Sequence, residues 1–238
     1  CVDHFGPDMK SHSHYYKNGK TFRFQEHSHN FSSDIGSITE GLQTLVTSKI
    51  IPNIKETNDI LLNGGSLLDF GCGTAKLLTK ASNIYSKALF YGLDIDKNGI
   101  KIANDTIKKE NKLDSIKIYD GNSNILPTIN TIDIVTMVEV FHEISKDMRA
   151  IVLRNIYKYL KPKGILLILD ETMPNKENLT DNNAQLAVLT QYNEMTWGNE
   201  VPTKLEQDNL LTNAGFSLLE RKTIGGLFTL LISKKIME

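Results

Sequence analysis

Short apolar runs alternate with amphipathic stretches over most of this chain. "SLLDF" (66–70), "ALFYGLD" (88–94), "SIKIYD" (115–120), "IDIVTMV" (132–138) and "ILLILD" (165–170) each have strand length. Helical spacing fills the gaps, beginning near Ala75 and again across about 97–111 and about 146–160. Apolar strands separated by helices predict a parallel sheet buried on both faces. After the fifth run the pattern predicts a helical insert over about 180–197 and a helix from Thr203 to Asn213. "FSLLERKT" and "LFTLLIS", joined by Gly225-Gly226, then read as an antiparallel pair closing the sheet edge. The expectation is an α/β fold: a Rossmann-like, seven-stranded sheet with helices on both faces.

The pattern breaks upstream. Residues 1–31 are polar and aromatic, and Asn18-Gly19 at the centre of "YYKNGKTFRF" favours a tight hairpin turn. A helix is expected next, capped by Ser33 or Asp34, with Ile35, Ile38, Leu42, Leu45 and Val46 at helical spacing. "KETNDILLNGG" reads as the connection onward. Two regions follow: 1–60, a lid hairpin and helix, and 61–238, the main domain.

Five of the six histidines fall in this first region, among them His12, His14, His27 and His29. On a strand, residues i and i+2 share a face, so each His-x-His pair offers two imidazoles to a metal such as zinc. A turn at Asn18-Gly19 sets His14 opposite Arg23 and His12 opposite Gln25, out of register, so no metal site is expected. The segment reads instead as a lid, with Tyr15, Tyr16, Phe22, Phe24 and Phe31 folding over a crevice. Tyr192, Met195 and Trp197 supply the opposite wall, which makes Tyr15, Tyr16, Tyr192 and Trp197 the candidate substrate contacts.

Bulk composition narrows the partners. The net charge of -1 gives no basic excess to draw nucleic acid. No apolar run is long enough to span a bilayer, and no charged-then-apolar signal opens the chain. Two widely spaced cysteines, Cys1 and Cys72, make no disulfide framework, so a cytoplasmic setting is expected.

The chemistry concentrates at strand ends. "LLDFGCGTAKLL" sets Gly71-x-Gly73 between a strand and a helix, where open α/β sheets bind ligands. Lys76 stands where a dinucleotide fingerprint needs its third glycine. Asp69 precedes the loop, Asp94 ends the second strand and Asp120 ends the third. Three acids there repel a pyrophosphate, at roughly 3 kcal/mol per unit pair at ~6 Å and an effective dielectric of ~20. They suit a cationic nucleoside such as S-adenosylmethionine, with Asp94 placed for ribose hydroxyls.

"LLDFGCGTA", "YGLDID", "YDGNSNILP", "IDIVTMVEVFHEI" and "LKPKGILLILDE", in order, resemble the class I S-adenosylmethionine-dependent methyltransferases over about residues 60–238. The resemblance implies that Asp69, Gly71 and Gly73 lie near the methionine moiety. Asp94 would hold the ribose and Asp120 with Gly121 would border the adenine, with Ile95 and Glu139 completing the cofactor set. S-adenosyl-L-homocysteine is the implied product.

His142 follows the fourth strand, beside the crevice. A neutral imidazole there is a candidate general base for methylating a hydroxyl, or else a loop residue that only hydrogen-bonds. "VFHEISKDMRAIVLRNIYKYLKPKGILLILDETMP" resembles the phenolic and polyketide O-methyltransferases of small molecules, whose catalytic histidine falls on His142. Their two glutamates fall on Glu171 and Glu200, which are thereby candidate catalytic residues. The chain departs from them in Glu143, where they have aspartate, in Pro202, and in having only about 60 residues before the core.

A small-molecule acceptor is therefore expected, with a homodimer left open. Asp170-Glu171 imitates part of a catechol-type magnesium site, but further ligands are not apparent. The alternatives are a methyltransferase-like subunit that binds the cofactor without turnover, or N- or C-methylation of a small molecule.

Overall fold

A computed structural model describes residues 2–18, 28–181 and 184–236. Its strands are β1 (Ser66–Phe70), β2 (Leu89–Asp94), β3 (Ile116–Asp120), β4 (Ile132–Val138), β5 (Leu160–Asp170), β6 (Phe216–Ile224) and β7 (Phe228–Lys235). They form one sheet in the order β3-β2-β1-β4-β5-β7-β6. The first five run parallel, and β7 pairs antiparallel with both β5 and β6. The expected seven-stranded α/β architecture is thus observed.

Alternation along the buried strands builds two cores. Leu67, Ile134 and Ile165 face one side, against Leu77 and Leu78 of α6 (Lys76–Ile84) and Ala103 and Ile107 of α7 (Lys97–Lys109). Leu68, Val135 and Leu166 face the other, against Leu153 and Ile156 of α8 (Lys146–Tyr159) and Leu211 of α10 (Lys204–Asn213). Both faces are apolar because both are covered. Leu67, Leu68, Ile134, Val135 and Leu166 are fully buried.

Strand order decides where a ligand goes. β1 has β2 on one side and β4 on the other, so the chain leaves in opposite directions from the sheet centre. A crevice opens at the carboxyl ends of these strands.

The N-terminal region differs from expectation. Val2–Asn18 is a helix, α1, and not the first arm of a hairpin; residues 19–27, the other arm, lie outside the described residues. The Asn-Gly signal is local, whereas α1 packs along α9 (Gln185–Trp197), and that tertiary contact prevails. The next helix, α2 (His29–Ile38), starts earlier than expected, with Ser28 as its cap. Thr39 interrupts it before α3 (Glu40–Leu45), a π-helical segment (Val46–Ile50) and α4 (Ile51–Asn53). "KETNDILL" is itself helical, as α5 (Lys55–Leu62), which runs across the boundary expected at residue 60. β5 begins at Leu160, earlier than its apolar run. Among the described residues, no helix is long and apolar enough to cross a membrane.

Candidate cofactor and acceptor site

A cavity of about 900 Å³ occupies the crevice. Its floor is the β1–α6 loop. Gly71 has φ +78, and a Cβ there would lie 2.5 Å from Val140. Only glycine allows that approach. Gly73, at φ +49, has open space where its Cβ would be, and its N–H donates to Asp94 Oδ2 at 2.7 Å. Asp94 Oδ1 accepts from the N–H groups of Ile95 (2.7 Å) and Asp96 (2.8 Å). Three backbone donors thus fix one carboxylate on the cavity wall. Burial raises the pKa of Asp94, while these donors oppose the rise.

Asp69 is 4% exposed and accepts from the Thr136 hydroxyl at 2.7 Å. Burial pushes its carboxyl up to about 7, and the charge of Asp94 adds to the effect. Ile95 and Gly121 also line the cavity. Asp120 is not on the wall; its carboxylate accepts from the N–H of Asn122, which is.

The N-terminal helices supply a second wall, through Ser32, Ile35, Gly36, Thr39 and Gln43. Ser32 donates to Asp96 Oδ2 at 2.7 Å, and Asp96 also caps α7, so α2 is tied to the start of α7 beside the crevice. None of these wall residues carries a motif, and only the fold reveals them. Of the expected substrate contacts, Trp197 lines the cavity and meets Phe31 edge-on at 6.2 Å. Tyr192 and Tyr16 do not line it. They border a separate shallow depression between α1 and α9, where His12 stacks on Tyr192 at 4.6 Å. The side chain of Tyr15, with Phe22 and Phe24, lies outside the described residues.

The expected His-x-His geometry is replaced. On a helix, positions i and i+2 point roughly 200° apart, so His12 and His14 on α1 do not share a face. His27 lies outside the described residues, and His29 opens α2.

A denser cluster sits at the ends of β4 and β5. His142 is 5% exposed. Its Nδ1 lies 2.5 Å from Asp170 Oδ1 and 3.2 Å from Glu171 Oε2, and its Nε2 lies 3.9 Å from Glu194 Oε1. Asp170 Oδ2 accepts from the N–H groups of Phe141 (2.6 Å) and His142 (3.3 Å), and Oδ1 accepts from that of Glu171 (2.7 Å). Glu139, left-handed at φ +58, directly follows β4 and joins the cluster from the cavity wall. Glu143 lines the cavity as well, but His142 itself does not.

Electrostatics follow from that crowding. Burial opposes the charged imidazolium, yet Asp170, Glu194 and Glu171 outweigh it and hold the pKa of His142 well above its ordinary value. Burial, then the charges of Asp170 and Glu171, push Glu139 well up. Burial likewise raises Glu143, Glu171 and Glu194.

Glu200 is not in this cluster. Its carboxylate pairs with Lys146 at 2.6 Å near the surface, and its carbonyl accepts from Arg149. Glu194, six residues earlier and within α9, is the glutamate that approaches His142 Nε2 instead. No spacing along the chain marks Glu194; its 2% exposure, unusual for a glutamate, appears only in the fold.

The sheet order, the glycine loop and the strand-end carboxylates define a class I methyltransferase fold. The chain belongs to the family described as "Methyltransferase domain", whose match covers residues 61–215. It is 33% identical over 125 residues to the demethylmenaquinone methyltransferase of Listeria welshimeri, a match covering 51% of this chain and 52% of that protein. The chain thus spans about half the length of the curated relatives it matches.

Among solved structures, an O-methyltransferase family protein from Burkholderia thailandensis superposes with a TM-score of 0.71 at 16% identity, covering 99% of this chain and 73% of that one. An O-methyltransferase from neocarzinostatin biosynthesis, in complex with S-adenosyl-L-homocysteine and 1,4-dihydroxy-2-naphthoic acid, gives 0.74 at 14% identity, covering 99% and 70%. At such identities the likeness is one of fold.

S-adenosylmethionine fits the residues present: Gly73 leaves the loop open to a ligand, and the carboxyls of Asp94 and Asp69 lie on the wall of the same cavity.

Proposed function

We propose that this protein transfers a methyl group from S-adenosylmethionine to a small organic acceptor, with a hydroxyl as the first chemical class to test. The observation that carries the reading is the carboxylate of Asp94, held by three backbone N–H groups beside the Gly71–Gly73 loop. The cofactor supplies an electrophilic methyl on a sulfonium. Asp94 binds the ribose, Asp69 faces the ammonium, and Gly121 with Ile95 borders the base. The α2–α3 wall and Trp197 exclude water and bring the acceptor into line, and positioning of this kind is the main source of rate in such a transfer.

A hydroxyl must lose its proton as it attacks. We assign that task to the His142 cluster, with Asp170 and Glu171 orienting the ring and Glu194 on its far side. Glu139 and Glu143 connect the cluster to the cavity.

Calorimetry with S-adenosylmethionine, followed by mass spectrometry of reactions with a panel of small phenols, alcohols and amines, tests the reading. Micromolar binding and a methylated product support it. Binding with no product from any acceptor favours a cofactor-binding subunit, and no binding rejects the site.

A further inference from the structure

We propose that Asn199 recognises the acceptor: its side-chain oxygen accepts an O–H or N–H of that molecule, while its side-chain nitrogen holds Glu194 in place beside His142. The assignment rests on the reading of the cavity as a methyl-transfer site. Neither the sequence motifs nor the histidine cluster points to this residue.

A helix end puts Asn199 where it is. α9 stops at Gly198, whose left-handed backbone (φ +79) turns the chain back on the helix. The Gly198 N–H then donates to the Met195 carbonyl, and the Asn199 N–H to the Glu194 carbonyl at 3.0 Å. Glycine is the residue that takes this cap without strain. Gln191, on the same helix, braces the exit from both ends of its amide. Its Nε2 donates to the Asn199 carbonyl at 3.5 Å, and its Oε1 accepts from the Val201 N–H at 2.8 Å. Asn199 is left half-buried, on the cavity wall with Trp197 and Gly198.

The two polar ends of its side chain have different tasks. Nδ2 donates to Glu194 Oε2 at 3.2 Å. The other oxygen of that carboxylate, Oε1, is the one 3.9 Å from His142 Nε2. One amide therefore steadies the carboxylate that faces the ring. A carboxylate accepts only from the N–H end of an amide, so the same bond fixes which way the amide lies. Oδ1 makes no hydrogen bond among the described residues, and its neighbours do not seal it in. Neither His142 nor Glu194 lines the cavity, whereas Asn199 does. An acceptor that donates to Oδ1 thus touches the residue that positions Glu194. An amide oxygen accepts and cannot donate, so it favours a hydroxyl over the methyl ether made from it.

The test uses the full chain loaded with S-adenosylhomocysteine, with phenol as the probe and anisole as its methylated counterpart. In calorimetry phenol should bind about 10-fold more tightly than anisole, the scale of one hydrogen bond. Asn199→Ala should lose that preference and still bind S-adenosylhomocysteine as the parent does. In ¹H–¹⁵N spectra the side-chain amide pair missing from Asn199→Ala should move when phenol is added and stay when anisole is added. The same pair should move in Glu194→Gln. A phenol preference kept by a folded Asn199→Ala overturns the assignment, as does an amide pair indifferent to Glu194→Gln. So does a loaded parent that fails to prefer phenol. A parent that binds no S-adenosylhomocysteine overturns the methyl-transfer reading itself, and this assignment with it.

Discussion

His142 Nδ1 lies 2.5 Å from Asp170 Oδ1, which joins the loop after the fourth strand to the last residue of the fifth. Asp170 also accepts three backbone N–H groups, so it sets the path of the loop as well as the plane of the ring. Replacing Asp170 by Asn leaves at least one of those donors unmatched in a buried site. A loss of about 1.5–3 kcal/mol is expected, the usual worth of a hydrogen bond to a charged group. Denaturant melts would show it as a lower midpoint, and an unchanged midpoint would remove Asp170 from its structural role.

His142→Ala should lower turnover by about 100-fold or more, the scale of a lost proton-transfer group. Affinity for S-adenosylmethionine should stay nearly constant, because His142 is not among the residues lining the cavity. Undiminished turnover of an identified acceptor would exclude the cluster from the chemistry.

Glu194 and Glu200 should separate cleanly. Glu194→Gln removes the charge 3.9 Å from Nε2 and should reduce turnover, whereas Glu200→Gln alters a surface pair with Lys146 and should not. Steady-state kinetics of both variants decides between them. The reverse ranking would favour the assignment suggested by motif order.

Asp94→Asn should weaken cofactor binding by about 10- to 100-fold, since a hydrogen bond to a charged group contributes roughly 1.5–3 kcal/mol. The same change turns one acceptor oxygen of Asp94 into a donor facing backbone N–H groups. Isothermal calorimetry reads the effect directly, and equal affinities would move the ribose contact elsewhere.

Asp69 predicts a pH dependence of the ligand-free protein. Its carboxyl titrates at about 7 in the fold against an ordinary 3.8. Between those values the native state holds the proton that the unfolded chain has lost. Stability therefore falls as pH rises through that window, by about 4 kcal/mol in total. Asp69→Asn removes the dependence, so the stability of the variant relative to the parent should grow from pH 4 to pH 8. Parallel stability curves for the two would contradict the buried, proton-retaining carboxyl.

The main sheet was legible because its signals are local. Apolar runs of strand length such as 132–138, and a Gly-x-Gly turn after 66–70, report on residues a few positions apart. Asn18-Gly19 is just as local, and it misled: α1 runs through Asn18 because a neighbouring helix, α9, lies alongside it. The capping of α2 by Ser28 shows the same limit, since Ser33 and Asp34 offered equally good local signals.

Read alone, the chain determined the order of strands and helices from residue 66 onward, the glycine loop and the acids near the ends of the first three strands, because backbone periodicity and turn chemistry operate over a few residues. Which carboxylates surround His142 was decided only by the tertiary structure. Glu139, Asp170, Glu171 and Glu194 come from three separate elements, and they meet because β4 lies beside β5 and α9 folds back over both ends. Burial in that junction, rather than any spacing in the chain, turns ordinary acids into a shared site.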